Sequence, residues 1–339
     1  MSIKELDQTA EAMVAAGKGI LAIDESAPTI KNRLDSINTE STESSRRAYR
    51  DLLITNPGGN EYISGMILFD ETIRHSSADG TPFAEALEKQ GIMTGIKVDT
   101  GAKDLAGHPG EKVTEGLDGL RERLAEYKKL GAKFAKWRAV ITIGEGMPSL
   151  GCIEANVHAL ARYASLCQEA GIVPMVEPEV LMDGDHNVEL CYEVTEATLK
   201  ALFNELYKQS VSLEHTILKV NMVVSGKDCS EQADVDDVAG LTVNCLLNTV
   251  PASLPGIVFL SGGQSAEKAT EHLNAMNATY GPLPWPLSFS YGRALQAPCL
   301  AAWQGKEENV AKAQAVLLHR EKCNSEASLG KYDAASDAA

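Results

Sequence analysis

Phe134-Ala135-Lys136-Trp137-Arg138-Ala139-Val140-Ile141-Thr142-Ile143, then Val157-His158-Ala159-Leu160-Ala161-Arg162-Tyr163, then Ile172-Val173-Pro174-Met175-Val176-Glu177-Pro178-Glu179-Val180: these three runs, read together, decide the architecture. The outer two are short and rich in Ile, Val and other apolar residues, the composition of a buried strand; the middle one repeats with helical period. Strand, helix, strand in that order is a parallel pair joined by a right-handed crossover. The same unit recurs in both directions. Apolar runs at 19–23, 63–69, 94–99, 216–223, 256–261 and 287–291 join those at 134–143 and 172–180, spaced by about 30 to 45 residues, with further helical periodicity such as Gly116-Leu117-Asp118-Gly119-Leu120-Arg121-Glu122-Arg123-Leu124 between them. Eight such units with no Pro/Gly-rich linker predict an α/β fold, a single (β/α)8 TIM barrel over residues 1–324, in preference to two doubly wound domains. Residues 325–339 are small, polar and Ala-rich, and are expected to form a mobile C-terminal tail.

Charge and cysteine usage narrow the function. The 339 residues carry 31 Lys and Arg against 47 Asp and Glu, a formal charge of −16. That balance argues against nucleic-acid and membrane partners and requires any anionic substrate to find a local basic pocket. Seven scattered cysteines without a Cys-x-x-Cys pair read as reduced thiols. The seven histidines are dispersed as well, so neither a metal site nor a cofactor is predicted. The amino terminus, Met1-Ser2-Ile3-Lys4-Glu5-Leu6-Asp7, is polar, and no apolar run reaches ~18 residues. The expectation is a cytoplasmic protein, or a stromal one whose plastid transit peptide has been removed.

Several charges stand where a barrel strand should be apolar. Lys97, Lys136 and Lys219 lie in Gly95-Ile96-Lys97-Val98-Asp99, Phe134-Ala135-Lys136-Trp137-Arg138 and Ile217-Leu218-Lys219-Val220-Asn221, and Glu177 and Glu179 share a fourth strand. Such residues are rarely buried without a partner or a purpose. Strand alternation puts Lys136 and Arg138 on one side, and Glu177 and Glu179 likewise. With Asp24 and Ser261 they fall at strand ends, the rim where barrels of this kind place their active sites. A lysine kept partly dry beside other cations loses its proton more readily and attacks carbonyls, so the pattern predicts Schiff-base chemistry.

Two segments read as anion cradles. In Asp24-Glu25-Ser26-Ala27-Pro28-Thr29-Ile30 a strand ends, Ser26 is placed to cap the next helix, Pro28 suits its first turn, and Arg33 follows on it. The second combines Ser261-Gly262-Gly263 with Ser290-Tyr291-Gly292-Arg293, where glycines admit close approach of backbone donors to an anion. Two cradles on one rim predict a substrate with a phosphate at each end.

Along nearly its whole length the chain resembles the class I fructose-bisphosphate aldolases. The resemblance runs from Gly17-Lys18-Gly19-Ile20-Leu21-Ala22-Ile23-Asp24-Glu25-Ser26 through the strand motifs above and Phe259-Leu260-Ser261-Gly262-Gly263-Gln264, then Ser288-Phe289-Ser290-Tyr291-Gly292-Arg293-Ala294-Leu295-Gln296, to Gly330-Lys331-Tyr332. It implies a metal-independent lyase of glycolysis, gluconeogenesis or the Calvin cycle, a homotetramer by family habit. Its reaction is the reversible cleavage of fructose 1,6-bisphosphate to dihydroxyacetone phosphate and glyceraldehyde 3-phosphate. Lys219 is implied as the imine-forming residue and Glu177 as its acid/base, helped by Asp24 and Lys136, with Glu179 beside it. Ser261, Gly262, Gly292 and Arg293 are implied to hold the ketone-side phosphate; Ser26, Thr29, Arg33, Lys97 and Arg138 the other one.

The chain departs from the family pattern at Pro28 (commonly glycine), Thr29 (often serine), Thr100 (often lysine) and Val220 (commonly proline), none of which removes a proposed catalytic group. Eukaryotic members end on a longer tail whose terminal tyrosine assists enamine protonation; this sequence stops at Ala339, and Tyr332 matches an upstream tyrosine, so that proton donor is left unassigned. The competing readings are a single-phosphate Schiff-base barrel such as a transaldolase, against which the two cradles argue, and a binding protein that has kept the fold.

Overall fold

The computed structural model describes residues 3–337. Its sheet consists of β1 (Gly19–Ile23), β2 (Ile63–Leu68), β3 (Met93–Lys97), β4 (Phe134–Ile141), β5 (Val173–Val180), β6 (Ile217–Val220), β7 (Ile257–Phe259) and β8 (Leu287–Tyr291). Each pairs in parallel with its sequence neighbours, and β1 with β8 closes the barrel. The apolar runs expected at 216–223 and 256–261 contribute strands of only 4 and 3 residues. Asn221, for example, has left the ladder, and its Oδ1 accepts the Val180 N–H at 2.9 Å.

Along the inward-facing positions the character changes with height. At the base, Ile20, Ala22, Ile67, Phe134, Val173, Met175, Ile217 and Val258 form one apolar cluster with Leu6, Ala10, Met13 and Val14. The amphipathic helix Ile3–Met13 thereby plugs the amino-terminal end of the barrel. Phe134 fits there because two facing residues are glycines: a Cβ on Gly95 would collide with its ring, and one on Gly65 would stand 2.8 Å from it. Two residues further along β4 and β5 the same inward column turns charged, at Lys136 and Glu177. The apolar lower layer supplies the burial that holds the barrel shut, leaving the upper layer to chemistry.

The seam between β1 and β8 is short, registered at Ile20↔Ser290 and Leu21↔Tyr291. Side chains reinforce it. Ser288 Oγ donates to Lys18 O at 2.6 Å and Gln296 Nε2 to Ala22 O at 2.5 Å. Beside it, Ser325 Oγ donates to Gly17 O at 2.6 Å.

Two features differ from the sequence reading. An antiparallel hairpin, Gly101–Asp104 with Lys112–Glu115, follows β3. Its first strand, Gly-Ala-Lys-Asp, lacks the apolar alternation that marks a strand, and it is pinned instead by Thr114, whose Oγ1 donates to Arg138 O at 2.8 Å. The boundary expected at residue 325 falls inside the helix Val310–Ser328, where Ser325 and Ala327 are buried. Ser325 and Leu329 lie against the chain at Gly17, where an added Cβ would stand 3.4 Å from each. Beyond the helix, Tyr332 is buried and its hydroxyl donates to Asp337 at 2.7 Å, so the segment has defined partners up to that residue. Ala338 and Ala339, the end of the expected tail, lie outside the described residues. Among the described residues, no helix is long and apolar enough to cross a membrane.

Candidate active site

Every residue assigned from the sequence to catalysis or phosphate binding lines a single cavity of about 1210 Å³ at the carboxyl ends of the strands. Its floor is a row of alternating charges. Lys219 Nζ on β6 lies 3.1 Å from Glu177 Oε1 on β5; Glu177 Oε2 lies 3.0 Å from Lys136 Nζ on β4; and Lys136 Nζ lies 2.7 Å from Asp24 Oδ2, just beyond β1. All four residues are buried, between 2% and 9% exposed. Burying an ion pair is at best a weak source of stability, so a buried row of four points to another use.

The two lysines are driven in opposite directions. Burial disfavours charge on both. At Lys136 it is outweighed by Asp24, Glu177 and Asp99, which hold the ammonium protonated well above its ordinary range. At Lys219 burial wins, helped by the Lys136 cation and only partly offset by Glu177 and Asp24, and the amine pKa falls. Burial raises Asp24 and Glu177, but the surrounding lysines prevail and both carboxyls lie below their usual range. One lysine is thus a fixed cation, and the other is disposed to become a neutral nucleophile.

The cradle after β7 and β8 is built largely from backbone. Gly262 and Gly263 have φ of +55° and +105°, the left-handed region where a side chain is strained. A Cβ on Gly263 would also stand 2.6 Å from Met182 Sδ. Arg293 opens the helix Arg293–Trp303, so the free N–H groups of its first turn face the same space. Ser261 and Ser290 are buried at its edge, and Ser290 Oγ has no hydrogen-bond partner.

In the other cradle, Ser26 occupies the N-cap position of the helix Ala27–Asp35, but its hydroxyl makes no capping bond. The cap expected from the sequence is absent because Ser26 Oγ lies 3.3 Å from Thr29 Oγ1 instead, where the two hydroxyls can serve a ligand. Lys97 is held by the Asp99 carboxylate and donates to the Asp99 carbonyl at 3.0 Å. Arg138 is held by Glu179, which makes Glu179 the partner of that guanidinium. Arg33, grouped by sequence with Ser26 and Thr29, reaches toward the cradle after β7 and β8: a Cβ on Gly292 would stand 3.7 Å from its Nη2.

Residues that sequence reasoning left out supply the support. Glu25 Oε1 holds Arg33 Nη1 at 2.6 Å, and Oε2 lies 2.6 Å from Arg50 Nη2. Gln296 Nε2 donates to Glu25 Oε1 at 2.7 Å. Asp99 also accepts the Arg138 N–H at 3.2 Å. The available signals were the doubled carboxylate Asp24-Glu25 and the spacing of two between Lys97 and Asp99.

The profile of the family described as "Fructose-bisphosphate aldolase class-I" matches residues 5–339. The chain belongs to the class I fructose-bisphosphate aldolases. This aldolase is 64% identical over 333 residues to the "Probable fructose-bisphosphate aldolase class 1" of Xanthomonas campestris pv. campestris, covering 98% of this chain and 99% of the relative. It is 54% identical over 328 residues to the "Fructose-bisphosphate aldolase, cytoplasmic isozyme" of Spinacia oleracea, covering 97% and 92%. Its fold is similar to that of the fructose-bisphosphate aldolase from Plasmodium falciparum solved in complex with TRAP and a small-molecule inhibitor. The TM-score is 0.96 at 51% identity, over 97% of this chain and 95% of the other. The closed parallel barrel inferred from the sequence is therefore the barrel of an aldolase.

Proposed function

We propose that this aldolase cleaves fructose 1,6-bisphosphate, and forms it again, through an imine on Lys219, with the ketone-side phosphate held by Ser261, Gly262, Gly292 and Arg293. Ser26, Thr29, Lys97 and Arg138 receive the phosphate at the other end, and Arg33, beside Gly292, lies between the two. The observation that carries the reading is the divergence of the two buried lysines: Lys219 alone combines a lowered amine pKa with a carboxylate at 3.1 Å.

The Lys219 ammonium first passes a proton to the Glu177 carboxylate 3.1 Å away; the neutral amine then attacks the C2 carbonyl, a proton shifts from nitrogen to oxygen, and the carbinolamine hydroxyl leaves as water with the proton held by Glu177. The resulting protonated imine is the electron sink. Glu177, steadied by Lys136 and Asp24, then takes the proton of the C4 hydroxyl, and the C3–C4 bond breaks. Its electron pair moves into an enamine while glyceraldehyde 3-phosphate departs. Protonation at C3 and hydrolysis release dihydroxyacetone phosphate and restore Lys219. Lys136 keeps its proton throughout, balancing the two carboxylates between which it sits.

Borohydride reduction in the presence of dihydroxyacetone phosphate, followed by peptide mass analysis, tests this directly. An adduct on Lys219 is the expected result; an adduct confined to Lys136 or Lys97, or none in protein that binds the ligand, would overturn it. The same reading carries a homotetramer in the cytoplasm or plastid stroma, serving glycolysis, gluconeogenesis or the Calvin cycle, with sedimentation velocity as the check on the assembly.

A further inference from the structure

The geometry points to a divalent-cation site outside the catalytic pocket, with His319 Nε2, Cys323 Sγ and Asp337 Oδ1 as ligands and Zn2+ as the preferred ion, which ties the end of the chain to the helix Val310–Ser328. His319 and Cys323 are four residues apart on that helix and so share a face. The three donor atoms lie within 4.8 Å of one another. Cys323 Sγ is 3.4 Å from Asp337 Oδ1 and 3.6 Å from His319 Nε2. Tetrahedral zinc with bonds of about 2.0–2.3 Å sets its donors roughly 3.3–3.6 Å apart, so both sulfur distances already match. The remaining edge, His319 Nε2 to Asp337 Oδ1, is a hydrogen bond of 2.8 Å, which opens by about 0.5 Å when an ion takes the place of the shared proton.

The carboxylate is aimed from behind. Its other oxygen, Asp337 Oδ2, accepts from Tyr332 Oη at 2.7 Å and from Arg320 Nη1. Arg320 is itself anchored, Nη2 donating to Thr270 Oγ1 at 2.6 Å and to Ala266 O at 3.1 Å. This outer shell leaves Oδ1 facing the imidazole and the thiol, the arrangement that orients metal-bound carboxylates. One imidazole, one thiolate and one carboxylate suit zinc, and three protein donors leave a fourth position for water. Cys323 is buried while the His319 side chain is about half exposed, which provides a path for the ion. On binding, the Cys323 S–H bond breaks, its proton passes to solvent, and the sulfur electron pair forms the bond to the ion, with no change of oxidation state. None of the three residues lines the catalytic cavity, so the site is independent of the aldol chemistry. The dispersed histidines and cysteines concealed it because one pair is assembled by helix pitch and the third ligand lies 14 residues beyond Cys323.

Titration of the full chain with Co2+, followed by absorption, tests the site. The expected result is one equivalent giving a thiolate-to-cobalt charge-transfer band with tetrahedral d–d bands, displaced by Zn2+, absent in Cys323→Ser and retained in Cys229→Ser. Zn2+ should slow amide exchange over residues 332–337 in the wild type and not in Cys323→Ser, with aldol cleavage unchanged. Should Cys323→Ser fail to fold, His319→Ala, which alters the exposed ligand, is expected to lower Zn2+ affinity by at least about tenfold. No band with excess Co2+ in the wild type, a band that persists in Cys323→Ser, or unaltered affinity in His319→Ala would overturn the proposal.

Discussion

Glu177 Oε1 stands 3.1 Å from Lys219 Nζ, within reach of a proton on any oxygen bonded to the carbon that this nitrogen attacks. Replacing Glu177 with Gln preserves shape and one hydrogen bond but removes the proton carrier. The expected outcome is a fall in kcat on the order of 10²–10⁴-fold with KM nearly unchanged, and slowed imine formation in single-turnover trapping. A kcat within a few-fold of wild type would assign the proton transfers to another group.

Arg293 combines a guanidinium with the start of the helix Arg293–Trp303. Arg293→Ala should weaken dihydroxyacetone phosphate binding by about 1.5–3 kcal/mol, the worth of a charge-assisted contact. Calorimetric titration reads this; unchanged affinity would place that phosphate elsewhere.

The fit of Phe134 against Gly95 is a test of the barrel's lower layer. Gly95→Ala should destabilise by about 1–3 kcal/mol through overpacking. Combined with Phe134→Leu the loss should be less than the sum of the two single losses, because the smaller side chain vacates the space the new methyl needs. Denaturant midpoints across the four proteins measure the coupling, and strict additivity would mean the two residues do not compete for space.

Glu321 is fully buried; Oε2 accepts from Asn56 Nδ2 at 3.1 Å and Oε1 has no hydrogen-bond partner. Burial pushes its carboxyl from 4.5 up to about 8. The folded chain therefore retains a proton that the unfolded chain releases, so the associated stability is complete below the unfolded value and is lost as pH rises through about 8. Glu321→Gln keeps an acceptor for Asn56 without the ionisation. Relative to wild type it should gain on the order of 2–4 kcal/mol between about pH 5 and about pH 9. Parallel urea curves for the two proteins at both pH values isolate this group, and a difference that does not vary with pH would refute the assignment.

The barrel was legible because its evidence is repetitive: eight apolar runs at similar spacing leave little else to build. The charged rim was legible because Lys136, Glu177 and Lys219 contradict the strands that carry them. The partnerships were not, since sequence states which charges exist and not which carboxylate reaches which cation. Glu25 serving both Arg33 and Arg50, Glu179 serving Arg138, and the opposite fates of Lys136 and Lys219 all depend on residues brought together from different strands. The hairpin after β3 was missed for a related reason, its anchor being Thr114 on the Arg138 carbonyl and not an apolar face.

The Ser288 hydroxyl meets the Lys18 carbonyl across a separation of 270 residues. A ribosome delivering this polypeptide from its amino end therefore exposes one edge of β1, unpaired, until Leu287–Tyr291 has emerged. Bare strand edges on incomplete chains pair with whatever is near. Throughout synthesis the nascent chain thus needs crowding partners kept away from that edge, and a message cut short before β8 yields an open, adhesive sheet in place of a smaller catalyst.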